Sequence, residues 1–128
     1  MPNYWFDHVH LISPDPLKTA EFYEKMFGAK RVGIRELPDG RTLVDLVLNE
    51  SPIKVSQPKA QPLVPSASQT GYGLDHFGLK TDNLEAAVDE LKTKGVKFVQ
   101  EITPLPGVKV SFFLAPEDAL IELLERSG

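Results

Sequence analysis

Hydrophobic and polar positions run through the same cycle twice along this chain. Trp5 to Ile12 reads as a strand, with Val9 and Leu11 on one face and His8 and His10 on the other, because side chains alternate along a strand. Ser13-Pro14-Asp15-Pro16 is a turn, with Asp15 as a helix N-cap and Pro16 at the first helical position. Leu17, Ala20, Phe22, Tyr23 and Phe27 follow at helical spacing, and Gly28 stops the helix in a left-handed cap. Arg31 to Leu37, Arg41 to Leu48 and Pro52 to Gln57 read as antiparallel strands, the first two joined by the turn Pro38-Asp39-Gly40. The cycle restarts with a strand from Gly73 to Thr81 and a helix capped by Asp82 or Asn83, carrying Leu84, Ala87, Val88 and Leu91, and ended by Gly95. Strands over Val96 to Ile102, Val108 to Leu114 and Ala119 to Glu125 complete it, with turns at Pro104 to Gly107 and Pro116-Glu117-Asp118.

Each half is therefore strand, helix, strand, strand, strand. The expected class is α+β, with one domain over residues 1–128 made of two βαβββ units, about 4–57 and about 73–126. Between them the prolines Pro58, Pro62 and Pro65 and several Ser, Gln and Thr break the periodicity, so 58–72 reads as a linker, long enough to be a crossover or a flap over a site.

Composition narrows the function classes. The chain has 128 residues, 41% hydrophobic and 25% charged, as expected of a folded globular domain. A net charge of −4 without a basic cluster argues against nucleic acid. No apolar run approaches the roughly 18 residues that span a bilayer, so no membrane partner is expected. Met1-Pro2-Asn3-Tyr4 starts no signal peptide, and the cytoplasm is the expected location. The absence of cysteine removes disulfides, thiolate-held zinc and a cysteine nucleophile. All three histidines fall at the two equivalent strand starts, where paired units can share a metal.

The stretches Asp7-His8-Val9-His10-Leu11, Phe22-Tyr23-Glu24-Lys25-Met26-Phe27-Gly28, Leu74-Asp75-His76-Phe77-Gly78-Leu79 and Leu120-Ile121-Glu122-Leu123-Leu124-Glu125 resemble the vicinal oxygen chelate superfamily of glyoxalases, bleomycin-resistance proteins and extradiol dioxygenases. The resemblance covers almost the whole chain. It implies tandem βαβββ repeats whose curled mixed sheets form a cup, with metal ligands on the first and last strands of each unit. Carried over, the ligands are His8, His76 and Glu122. The fourth position falls on Lys54, where glyoxalase-type members place Glu or Gln, and a protonated lysine binds no metal.

Two imidazoles and one carboxylate with open vertices suit a divalent metal ion: Fe, Mn, Ni or Zn. Such a set leaves one net positive charge on the metal, and Lys54 adds another if it faces the same way. An anionic chelating substrate is the consequence. Candidates for proton or oxygen handling are His10, Lys54 and Tyr72. Glu125 is expected on the opposite face, in solvent, and Phe22, Phe27, Phe98 and Phe112 in the core. Asp7 and Asp75 read as residues that start strands. The favoured function is a metal-dependent enzyme acting on a small oxygenated molecule by ring cleavage, isomerisation or thiol addition. The alternatives are a metal-free binder of the bleomycin-resistance type, for which the lysine is a lost ligand, and an accessory subunit. A homodimer is expected from the resemblance.

Overall fold

A computed structural model of the chain describes Asn3 and residues 5–58 and 74–127. Tyr72 and nearly all of the predicted linker lie outside the described residues. The chain divides into two compact units, Met1–Leu63 and Val64–Gly128.

Unit 1 contains β1 (Val9–Ile12), α1 (Pro16–Phe27), β2 (Lys30–Glu36), β3 (Thr42–Leu48) and β4 (Ser51–Ser56). Its four-stranded sheet has the order β1-β4-β3-β2. β1 runs parallel to β4, and the other neighbours are antiparallel. Unit 2 contains β5 (Phe77–Lys80), α2 (Leu84–Thr93), β6 (Phe98–Leu105), β7 (Val108–Ala115) and β8 (Ala119–Arg126), with the matching order β5-β8-β7-β6 and a parallel β5–β8 pair. Each unit is thus a βαβββ module with an open mixed sheet, as the double cycle predicts.

The helix signals act where the sequence places them. Asp15 accepts the Lys18 N–H at 3.1 Å, Pro16 opens α1, and Gly28 closes it at φ 73°. In α2 the cap is Asn83, whose Oδ1 accepts the Ala86 N–H at 3.1 Å. Glu125 departs from the expectation of a solvated residue. Its Oε1 accepts the Leu84 N–H at 2.8 Å, so β8 supplies an acceptor to the first donor of α2.

These contacts also show which sheet face carries each helix. Ser13, in phase with Val9 and Leu11, bonds Thr19 of α1 at 2.8 Å. Val44, Leu46, Ile53 and Val55 are buried, and they pair across β3 and β4 in phase with Val9 and Leu11. In unit 2 the corresponding buried set is Phe113, Ile121 and Leu123, in phase with Glu125. His8, His10, Lys54 and Glu122 therefore belong to faces turned away from the helices.

Both first strands are shorter than predicted, because each is an outer strand paired over only four residues. His8 and His76 stand one residue before that pairing begins. β6 runs into the predicted turn, to Leu105, since Pro104 on an outer strand needs no ladder N–H. Among the described residues no helix is long and apolar enough to cross a membrane.

The β3–β4 hairpin turns through Asn49 and Glu50, both at positive φ (46° and 72°), and sets Leu48 against Ser51 and hence Asp45 against Lys54. Asn suits this conformation and Glu does not. Glu50→Gly is therefore expected to raise stability by up to about 1 kcal/mol, read as the shift of the urea midpoint. A loss of stability would contradict a strained turn at this position.

Candidate metal centre

Unit 2 brings two predicted ligands together. The parallel register sets Gly78 against Glu122, two residues after His76. A Cβ at Gly78 would stand in ordinary contact with Glu122 Oε1, at 3.6 Å. The carboxylate lies over the strand start, with Oε1 3.2 Å from His76 Nε2. On its other side, His76 Nδ1 donates to Asp75 Oδ2 at 2.7 Å. Phe112, directly across from Glu122, meets the His76 ring edge-on at 5.2 Å between centroids. Phe112 is thus a wall of this face, while its neighbour Phe113 takes the core position.

The electrostatics follow from the geometry. The hydrogen bond to Asp75 raises the His76 pKa above its ordinary 6.5; desolvation opposes this, and the bond and charge of Glu122 add to the rise. Nδ1 is occupied by Asp75, so Nε2 is the nitrogen offered to whatever lies beside Glu122. A carboxylate that fixes the far nitrogen of a histidine is the usual support for a metal-ligating imidazole. Two metal–ligand bonds of about 2.1 Å span the observed donor separation at an angle of roughly 100°, between tetrahedral and octahedral values. The two donors of unit 2 are spaced as two ligands of one divalent ion are.

Unit 1 repeats the backbone but not the chemistry. Its register sets His10 against Lys54, so Lys54 holds the strand position in unit 1 that Glu122 holds in unit 2. His8 repeats the buttressed imidazole, with Nδ1 on Asp7 Oδ2 at 2.8 Å. Its ring lies 6.5 Å from that of His10, consistent with the shared face expected from alternation. His10 Nε2 lies 2.7 Å from the buried Ser56 Oγ. Burial, then repulsion from His8, Arg41 and Lys54, lowers the His10 pKa below 6.5, which keeps the ring neutral at neutral pH. Lys54 Nζ donates to Asp45 Oδ1 at 2.7 Å, and Arg35 Nε donates to Asp45 Oδ2 at 2.9 Å.

Among the described residues no group of three or more His, Asp and Glu side chains forms a ready metal cage. What one unit supplies by itself is the His76–Glu122 pair. Sequence reading missed four contributors: Asp75 and Asp7 as imidazole supports, Asp45 as the partner of Lys54, and Ser56 as the partner of His10. The repeated Asp-His dipeptide was a visible signal for the first two. The others depend on hairpin register, which residue patterning alone does not set.

The raised pKa carries a sign. The charged His76 contributes stability that is fully present below about 6.5 and lost as pH rises through the folded value. Metal affinity changes in the opposite sense, because proton and metal compete for Nε2. In chelator-treated protein, NMR titration of the imidazole nitrogens is expected to show His76 titrating above 6.5, with Asp75→Asn moving it down. A His76 that titrates at or below its ordinary value would contradict the Asp75 contact.

Comparison with known proteins extends the picture to the whole chain. The Glyoxalase/Bleomycin resistance protein/Dioxygenase superfamily profile matches residues 5–123. Mitochondrial methylmalonyl-CoA epimerase of Homo sapiens is 29% identical over 125 residues, covering 91% of this chain and 71% of that protein. A probable chloroplastic lactoylglutathione lyase of Arabidopsis thaliana is 27% identical over 135 residues; the match takes in 93% of this chain, which spans only 35% of that relative's length. Among solved structures, a glyoxylase/bleomycin resistance protein/dioxygenase domain from Frankia superposes with a TM-score of 0.83 at 18% identity, over 98% of this chain and 100% of that one. A fosfomycin resistance protein FosX variant from Listeria monocytogenes, complexed with Mn(II) and 1S,2S-dihydroxypropylphosphonic acid, superposes with a TM-score of 0.73 at 17% identity, over 99% of this chain and 94% of that one. The tandem βαβββ units and the profile spanning nearly every residue establish that this chain belongs to the Glyoxalase/Bleomycin resistance protein/Dioxygenase superfamily.

Proposed function

We propose that this chain is a divalent-metal enzyme in which His8, His76 and Glu122 are the metal ligands and a small anionic oxygenated molecule is the substrate. The observation that carries this reading is the His76 Nε2–Glu122 Oε1 pair, two donors 3.2 Å apart with the far nitrogen fixed by Asp75. His8 joins the set because Asp7 holds its ring in the same way. Mn(II) in the FosX variant, on a related fold, supports a divalent ion, with iron, nickel and zinc as the other candidates.

A bound divalent ion supplies Lewis acidity toward neighbouring substrate oxygens. The chain's own side chains supply the rest. Asp7 and Asp75 hold the imidazoles in the tautomer that presents Nε2. Phe112 shields one side of His76 from water. His10, kept neutral by burial and by its cationic neighbours, can accept a proton, and Ser56 fixes its orientation. Tyr72, outside the described residues, is a second candidate for proton transfer. Of ring cleavage, isomerisation and thiol addition, the name of the human relative, an epimerase, weighs toward isomerisation. A homodimer is part of this proposal.

One observation favours a second reading. Lys54 stands at the strand position that carries Glu122 in unit 2, so unit 1 lacks the carboxylate of a symmetric centre. A metal-free protein that sequesters a small molecule fits that loss.

Elemental analysis of protein purified without affinity tag or chelating resin separates the two. Near-stoichiometric metal is expected, falling by about tenfold or more in His8→Ala and Glu122→Ala. Protein that stays empty after incubation with iron, manganese, nickel and zinc would overturn the enzyme reading in favour of sequestration.

A further inference from the structure

The helix-free face of unit 1 carries a charge arrangement that metal binding leaves unexplained. Two cations, Lys54 and Arg35, share the single carboxylate of Asp45, at 2.7 and 2.9 Å. One negative charge between two positive ones leaves a net positive charge. The Lys54 and Asp45 side chains are only 24% and 22% exposed, while Arg35 is 55% exposed and can screen itself in water. The unbalanced charge is therefore felt most at the half-buried ammonium. It stands out in a chain whose net charge is −4.

Two neighbours on the same face fit the same picture. Lys54 pairs across the sheet with His10, whose ring is held by Ser56. Asp45 engages only one of the three donor hydrogens of Lys54, which leaves the others for a ligand. The carboxylate behind it acts as a tether that holds the ammonium in one position over the sheet. A tethered cation loses less conformational entropy on binding an anion than a free lysine does.

We propose that Lys54, tethered by the Asp45–Arg35 pair and flanked by His10, is an oxyanion subsite that takes the carboxylate, phosphate or phosphonate group of a small molecule. This rests on the anionic-substrate reading above and deepens it: the lysine that occupies the vacant ligand position recognises the substrate's acid group. In unit 2 the same strand position binds metal; in unit 1 it binds anion.

The test uses full-length, chelator-treated protein, so that it does not depend on a metal centre. Binding of methylphosphonate, inorganic phosphate and acetate is followed by calorimetry in the wild type, Lys54→Met, Lys54→Arg and Asp45→Asn, with thermal melts to confirm folding. Lys54→Met keeps the apolar stem and removes the charge; it is expected to weaken binding by about tenfold or more, the value of one charge-assisted hydrogen bond. Lys54→Arg is expected to retain binding. Asp45→Asn keeps an Oδ1 that can still accept from Lys54 while removing the negative charge that opposes an anion, and is expected to tighten binding, in a manner that fades with salt. The probe that binds best identifies the acid group. Equal binding by wild type and Lys54→Met, or no binding by folded wild type, would overturn the subsite. Either result is independent of whether the chain binds metal, which elemental analysis reads separately.

Discussion

The parallel pairing of the first strand of each unit with its last strand decides which side chains meet. Side chains alternate along a strand, so a register fixed at one position fixes the whole face. With Gly78 set against Glu122, the carboxylate projects on the face of His76 and reaches its Nε2. A slip of one residue would turn Glu122 toward α2 and bring Glu125 to the open face. That slip would also unmake the bond from the Leu84 N–H to Glu125 and expose Ile121 and Leu123. The apolar face and the helix anchor thus hold the register that builds the donor pair. Stability and chemistry rest on the same ladder.

Duplication then allows the two halves to differ. Both units keep the Asp-His pair before the first strand, and in both the carboxylate occupies Nδ1. They diverge at two positions that face each other across the parallel pair. Unit 2 has glycine and glutamate, with the carboxylate on the His76 ring nitrogen. Unit 1 has histidine and lysine, with Ser56 and Asp45 recruited as their partners. One backbone thus presents an imidazole–carboxylate pair in one unit and a carboxylate shared by two cations in the other. The difference lies in four side chains, and none of it requires a change of fold.

Much of this was legible in the residues. The doubled cycle of apolar alternation and helical spacing gave the element order, and Asp15, Gly28 and the Asp82-Asn83 pair marked helix ends by local chemistry, with the structure choosing Asn83. The equivalence of Lys54 and Glu122 could be read from the repeat. What escaped was whatever depends on register across a hairpin. The turn at Asn49-Glu50 puts Asp45 beside Lys54, and nothing in the alternation of β3 or β4 alone specifies that turn. Glu125 escaped for a related reason: its face was correct, but the start of α2 that it anchors reaches it only in the folded unit. Phe112 was assigned to the core by its hydrophobicity, although alternation with Phe113 sends one of the two to the open face.

The most direct measurement is an anomalous difference map from crystals of the full chain grown with manganese. The account predicts a manganese peak within bonding distance of His76 Nε2 and a Glu122 carboxylate oxygen, with His76 Nδ1 still on Asp75. A manganese-soaked crystal in which His76 Nε2 remains hydrogen-bonded to Glu122, with no peak beside it, would contradict the central claim that this strand pair is built to hold a metal.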